Sequence, residues 1–304
     1  MTLTKERAAK GAARSAAPTA PDRAVTAGSA LFIGNATLLI RFGSLTILTD
    51  PNFVGRGAEV ALGFGLTAVR TSDPALEADE LGQPDVVVVS HDHGDHFDAV
   101  AADWLDASVP IVTCPPAASR LEERGFRAVR PLDTWQGTEL SRGDTRLQVT
   151  ALPARHAPGA FAFALPEVMG SMLELWDGGT AGEDRAPDLV IYLSGDTLLD
   201  DRLAEIAERF PRIDLAFIHL GGMRVLGMTL TLDAEHGVEL LKLLRPEVAI
   251  PVHYGDYAMD GSSLAEFAVH VRHAGLSERV RYLRHGESWP LRIRRSHRPA
   301  PRHR

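Results

Sequence analysis

The chain reads as a layered α/β protein with sheets at its centre. Short apolar runs rich in β-branched residues recur in both halves, and segments with helical spacing fall between them. With 304 residues, 45% of them hydrophobic and 24% charged, the chain can bury a sizeable core, which excludes wholesale disorder.

Taken in order, Leu31–Ile33 and Thr37–Arg41 predict a first hairpin pair, and Leu45–Thr49 a strand that ends at Asp50-Pro51. Val86–Val89 is wholly apolar and β-branched, the pattern of a strand buried on both faces. Val109–Thr113 predicts a strand before Pro115-Pro116, and Thr145–Leu152 one entered through the turn Arg142-Gly143-Asp144. Further strands are expected near Met169–Trp176 and at Leu189–Leu193, Leu215–His219 and Val248–Val252. Asp200–Phe210 carries Leu203, Ile206, Ala207 and Phe210 at helical spacing. Asp233 reads as the N-cap of a helix over residues 234–244, and Ser262 or Ser263 as the cap of one burying Leu264, Phe267, Ala268 and Val271. Phe53–Gly82 and the rest of Ala157–Pro187 follow neither period, and loops of that length are usually functional or mobile.

Charge is unevenly spread. Residues 1–26 hold five Lys/Arg against two acids and residues 292–304 six Arg against none, so the body is more acidic than the net −8 suggests. The expected organisation is a disordered basic, Ala-rich tail over 1–26, one domain over 27–291 and a basic tail over 292–304. An acidic body argues against nucleic acid as a partner, which favours a basic face. The single cysteine, Cys114, excludes an internal disulfide framework and a four-cysteine zinc module, and reads as a small buried residue. No apolar run approaches the roughly 18–20 residues of a membrane span. The charged start leads into no apolar stretch, so no secretory signal is predicted and a cytoplasmic location is expected.

The chemistry concentrates in Ser90-His91-Asp92-His93-Gly94-Asp95-His96-Phe97-Asp98, directly after the Val86–Val89 run. Three histidines and an aspartate within six residues supply the nitrogen and oxygen donors that zinc and related divalent ions prefer. In an extended segment His91 and His93 project to the same side and can reach one ion. Gly94 permits a sharp turn, after which Asp95 and His96 can face a second ion.

On these residues the chain resembles the metallo-β-lactamase-fold hydrolases, whose H-x-H-x-D-H motif is matched by His91, His93, Asp95 and His96. Asp50 matches the family's early aspartate, His156 the next metal-binding histidine, Asp196 the bridging carboxylate and His253 the last histidine, all in the family's order. Gly34-Asn35-Ala36-Thr37, the His156-to-Asp196 layout, and Asp233-Ala234-Glu235 followed by Pro246–His253 are similar to one branch of that family. It contains the L-ascorbate-6-phosphate lactonases and N-acyl-phosphatidylethanolamine phospholipase D. The resemblance spans about residues 28–290 and implies an αββα sandwich, two central mixed β-sheets flanked by helices.

The resemblance also implies roles. His91, His93 and His156 would hold one divalent ion and Asp95, His96 and His253 the other, with Asp196 bridging both. This thiolate-free set suits zinc and tolerates manganese or iron. Two ions roughly 3.5–4 Å apart can hold a bridging water, lower its pKa towards neutrality and stabilise an oxyanion, which is the chemistry of hydrolysis. Asp50 would orient the ligand loop, or else be a turn aspartate before proline. His219 is expected at the mouth of the site, touching substrate, or as a hydrogen-bonded histidine at a strand end; Asp95, Asp196 and His219 are the expected catalytic residues. His236 and Arg224 are weaker candidates for the same rim, while His270, His273, His285, His297 and His303 read as surface or tail residues. Phe53, Val54, Leu62, Phe64 and Leu66, with Phe161, Phe163, Leu165, Val168 and Met169, could wall an acyl or aryl group or simply cover the sheets.

The function so implied is hydrolysis of a small-molecule lactone or carboxylic ester, with a phospholipase D-like phosphodiesterase as the alternative. A metal-dependent oxidoreductase is disfavoured by His93, where the family's diiron members usually have glutamate, and a non-catalytic scaffold by the filled ligand positions. The acidic body disfavours an RNA nuclease.

Overall fold

The computed structural model describes residues 24–63, 65–157, 166–178, 185–225, 228–258, 261 and 263–294. The first sheet holds β1 (Ala24–Gly34), β2 (Thr37–Phe42), β3 (Leu45–Thr49), β4 (Val86–Val88), β5 (Ile111–Thr113) and β6 (Val129–Pro131). The second holds β7 (Gly137–Arg142), β8 (Thr145–Leu152), β9 (Gly170–Asp177), β10 (Leu189–Leu193), β11 (Leu215–His219) and β12 (Val248–Val252). The last strand, β13 (Ser288–Arg294), returns to the first sheet beside β1, giving the orders β13-β1-β2-β3-β4-β5-β6 and β12-β11-β10-β9-β8-β7. Pairing is parallel from β3 through β6 and from β10 through β12 and antiparallel elsewhere, so both sheets are mixed.

Alternation along the strands builds three apolar layers. Ile40, Ile47, Val86 and Val88 of the first sheet meet Leu147, Leu173, Ile191, Phe217 and Ile250 of the second. On the outer face of the first sheet, Leu48, Val87 and Val89 pack under α1 (Ala99–Trp104) and α2 (Pro115–Glu123) through Ala101 and Leu121. The far face of the second sheet, with Met172, Tyr192 and Ile218, lies under α3 (Ala204–Arg209), α4 (Ala234–Leu244) and α5 (Leu264–His273). Helix, sheet, sheet and helix thus stack as an αββα sandwich. Among the described residues no helix is long and apolar enough to cross a membrane.

Several elements depart from the sequence reading. The strand expected before Pro115-Pro116 is β5, and the two prolines then open α2, a helix the sequence reading does not include, where proline's fixed φ and missing N–H suit the first turn. Asp98 caps α1 by accepting the Ala101 N–H at 2.7 Å, a helix too short for its period to show. Asp200–Phe210 divides into a 3-10 turn at Asp201–Leu203 and α3. Phe53–Gly82 contains a small hairpin, Glu59–Ala61 against Thr67–Val69. β1 and β13 pair from Ala24 with Arg294, so the sheet runs past the boundaries expected at 26/27 and 291/292. Backbone pairing, to which charge is indifferent, sets those limits.

The parallel arrangement positions the site. Asp50 follows β3, His91 follows β4, Asp196 follows β10, His219 ends β11 and His253 follows β12. The carboxyl ends of parallel strands deliver all five to one edge of the sandwich, as in other parallel sheets.

Candidate metal centre

Donors meet at that edge in three groups, the donor atoms of each within 4.8 Å of one another: His91, His93 and His156 form the first, Asp95, His96, Asp196 and His253 the second, and Asp50, His96 and His219 the third, which shares His96 with the second. All nine residues are buried, none more than 5% exposed. The sequence reading expects Asp196 to bridge two ions; here it lies with Asp95, His96 and His253.

Within the first group, His91 Nε2 lies 2.8 Å from His93 Nδ1. His156 Nδ1 donates to the Leu230 carbonyl at 3.0 Å, so its proton is fixed there and Nε2 is left with a bare lone pair. Burial, reinforced by the other rings, holds His91 well below the ordinary histidine range and pushes His93 down to about 3. Here are three neutral imidazoles, the protonation state a metal ion requires.

The second group is charged. His96 Nε2 lies 3.3 Å from Asp196 Oδ2 and 3.5 Å from Asp95 Oδ2, and His253 Nε2 lies 3.2 Å from Asp95 Oδ2 and 3.6 Å from Asp196 Oδ1. Burial opposes charge on His96, but Asp196, Asp95 and Asp50 overcome it and raise the ring well above its usual range. His253 is pushed up to about 9 against the same burial, chiefly by Asp196. The Asp196 carboxylate acts on His91, His93, His96, His156 and His253 alike, which makes it the electrostatic centre of both groups. Among the described residues neither of its oxygens has a hydrogen-bond donor beyond these ion-pair contacts, nor has Asp95 Oδ1 or His93 Nε2 a hydrogen-bond partner, although all are buried. Buried carboxylate oxygens without donors are costly, and a cation between the groups would satisfy them. The residues present therefore fit a metal ion.

Asp50 stands behind this array. Its Oδ1 accepts the Ser90 N–H at 2.7 Å, and its Oδ2 lies 3.4 Å from His96 Nδ1 and 3.5 Å from His219 Nε2. A carboxylate on the rear nitrogen of a histidine orients the ring so that its front nitrogen faces an ion. His219 is accordingly not at an open mouth. It is 2% exposed, its N–H donates to Ser194 Oγ at 2.9 Å, and its Nε2 faces Asp50. Asp50, Asn35 and His253 adopt left-handed φ angles of 36°, 49° and 59°. Such conformations cost of order 1–3 kcal/mol each and persist only where surrounding contacts enforce them.

The expected apolar walls are rearranged. Phe53 packs instead in the outer core, its ring 5.8 Å from Trp104, because Asp98 accepts the N–H groups of Phe53 and Val54 and pulls this segment onto α1. Val54, Leu62 and Leu66 do join a satellite cluster with Val60, Met223, Leu230 and Tyr257. A Cβ at Gly63 would sit 3.5 Å from His93 Nε2, so this hairpin flanks the first group. Met169 faces the core between the sheets; Phe64, Phe161, Phe163 and Leu165 lie outside the described residues, as do Ser262, His297 and His303. Arg224 and His236 are exposed and both approach Asp233. His285, expected at the surface, is partly exposed, its side chain at 27%, and lies 3.2 Å from Asp256 Oδ2. The polar support formed by Asn35, Asn52, Arg70 and Asp256 was not anticipated, and no local signal separates the buried Arg70 from the exposed Arg56 of the same Gly-rich stretch.

Known proteins are similar along most of the chain. Residues 46–254 match the family described as the beta-lactamase superfamily domain. The N-acyl-phosphatidylethanolamine-hydrolyzing phospholipase D 1 of Caenorhabditis elegans is 26% identical over 242 residues, covering 76% of this chain and 64% of that protein, so the match spans less than two thirds of it. A metal-dependent hydrolase of Pelotomaculum thermopropionicum is 28% identical over 267 residues, 86% of this chain and 98% of the relative. Among solved structures, the isothiocyanate hydrolase from Delia radicum gut bacteria has a TM-score of 0.71 at 19% identity, covering 87% of this chain and 100% of that one. That last likeness is one of fold.

Proposed function

The chain belongs to the beta-lactamase superfamily and is a metal-dependent hydrolase of the metallo-β-lactamase fold, and on that premise we propose that it cleaves an ester-type bond of a small molecule at a centre of two divalent ions. The observation that carries this reading is the pair of buried donor groups meeting around Asp196, whose carboxylate oxygens have no hydrogen-bond donor among the described residues beyond the facing histidines. His91, His93 and His156 would hold one ion, Asp95, His96 and His253 the other, and Asp196 both. Five imidazoles and two carboxylates without a thiolate make zinc the first choice of metal. Divalent ions bound there supply Lewis acidity, lowering the pKa of a water towards neutrality and stabilising charge on a substrate oxygen.

The chain's own residues set the conditions for that chemistry. Asp50 holds the His96 ring by its Nδ1 edge, and the Leu230 carbonyl fixes the proton of His156, so each presents one defined nitrogen forwards. His219 acts through Asp50, its Nε2 lying 3.5 Å from the same Oδ2 that faces His96. Burial of all seven donors keeps bulk water from competing with substrate. The hairpin carrying Leu62 and Leu66 offers an apolar flank beside His93 for an acyl or aryl group.

A lactone or carboxylic ester is the first substrate class. A phosphodiester is the second, favoured by the likeness to a phospholipase D. The deciding experiment combines elemental metal analysis with turnover of a panel of lactones, aryl carboxylic esters and bis-aryl phosphodiesters, before and after chelation. Chelator-sensitive, zinc-restored turnover of lactones or esters is the expected result. Turnover of phosphodiesters alone would move the assignment to the second class, and fewer than one ion per chain after remetallation would overturn the two-ion centre.

A further inference from the structure

We propose that Asn35 is a positioning residue of the metal centre, tying the loop that carries Asp95 to the loop that carries His253. The proposal rests on the two-ion reading and adds to it a residue outside the donor set.

Asn35 sits fully buried in the turn between β1 and β2. Its side-chain Nδ2 donates to the Asp95 carbonyl at 2.7 Å, and its own carbonyl accepts the His253 N–H at 2.7 Å. Asp95 and His253 belong to the same donor group and reach it from different sheets. Their loops therefore have no shared strand to hold them in register, and Asn35 is the direct link between the two backbones. The Asn35 N–H donates in turn to Asp256 Oδ2 at 2.8 Å, three residues past His253. Asp256 is anchored by Ser72 Oγ, by His285 and by the buried Arg70 guanidinium. Two residues further along, at the start of β2, Thr37 Oγ1 donates to the Asp50 carbonyl at 2.7 Å and accepts the Asn52 N–H at 3.0 Å. The turn and the strand residue that follows it thus fasten the loops of Asp50, Asp95 and His253.

The position also selects asparagine chemically. Its left-handed φ of 49° is tolerated by Gly, Asn and Asp, and the contact to a carbonyl requires a donor. Glycine would meet the first demand without the second. Aspartate would set an acceptor against the Asp95 carbonyl. The amide of Asn35 meets both.

The test uses Asn35→Gly and Asn35→Asp, two variants that keep the backbone conformation accessible. Each full-length protein is stripped with a chelator, its metal-free melting temperature recorded, and Co2+ then titrated against a competing chelator while the visible absorption bands are followed. Both variants should melt near the wild type when metal-free. One of the two cobalt ions should bind about 10–100-fold more weakly, with its absorption bands shifted, at least as strongly in Asn35→Asp as in Asn35→Gly. Should Asn35→Gly alone fail to fold, Asn35→Asp decides by the same criteria. Wild-type affinities and bands in the folded variants would overturn the proposal, as would loss of the metal-free fold in both, which would make Asn35 merely structural. A wild type that takes up no cobalt would instead overturn the two-ion reading beneath it.

Discussion

Replacing Asp196 with asparagine removes the one charge felt by all five donor histidines while nearly preserving volume. Its oxygens lie 3.3 Å from His96 Nε2 and 3.6 Å from His253 Nε2, both buried. At an effective dielectric near 20, a unit charge pair at that range interacts by about 5 kcal/mol, a gross figure that sets the scale. A wild-type ion present at 100 times its Kd stabilises the fold by about 2.7 kcal/mol, and a 100-fold weaker affinity leaves about 0.4 kcal/mol of it. The difference corresponds to a fall in Tm of roughly 5–9 °C for a domain of this size. Turnover of whichever ester the panel identifies should fall by about 10³-fold or more, the scale of losing a positioned catalytic group. Metal content, melting curves with and without chelator, and steady-state kinetics measure all three effects. Full activity with two ions bound would refute the central placement of Asp196 and the mechanism built on it.

Three further outcomes are expected. Burial pushes the Cys114 thiol up to about 11 from 9.0, so the thiol should resist alkylation at pH 8 in the folded protein and react at once in denaturant. Because the thiolate forms more readily in the unfolded chain, Cys114 contributes stability below pH 9 that is lost as the pH rises towards 11, an effect absent from Cys114→Ala in alkaline melts. Tyr192 buries a hydroxyl with no hydrogen-bond partner among the described residues, so Tyr192→Phe should gain about 1 kcal/mol by denaturant titration, and a loss would reveal a partner. Gly237→Ala should lose about 1–3 kcal/mol despite alanine's better helix propensity, because its Cβ would stand 2.6 Å from Leu220 Cδ2 and 3.2 Å from Phe267 Cε2; a stabilised variant would show that α4 can shift.

The donor set was legible because metal chemistry demands rare residue types at close spacing. His91, His93, Asp95 and His96 announce themselves within six residues, and the scattered His156, Asp196 and His253 follow once a family order is available. Strands buried on both faces were equally plain, since Val86–Val89 or Leu189–Leu193 admits few other readings. What stayed hidden was of two kinds. Short, half-exposed elements such as β6, β7 and α1 carry too few residues for a period to emerge. The support of the site was hidden because it is made through main-chain atoms: Asn35 meets the Asp95 carbonyl and the His253 N–H, which every residue possesses. His219 follows the second of its two sequence readings, a hydrogen-bonded histidine at a strand end, and what covers such a strand end is set by distant segments that the local sequence does not name.

The delivery of donors by strand ends has a consequence for how the protein matures. His91, His93, Asp95 and His96 are neighbours along the chain, whereas His156, Asp196 and His253 arrive on later strands, the last of them on β12 at the edge of the second sheet. Local contacts form quickly, and those that close long loops wait for them. A nascent or refolding chain therefore brings His91, His93, Asp95 and His96 together first, and His156, Asp196 and His253 close on them only after the two sheets have docked, so the complete candidate centre is a late product of folding.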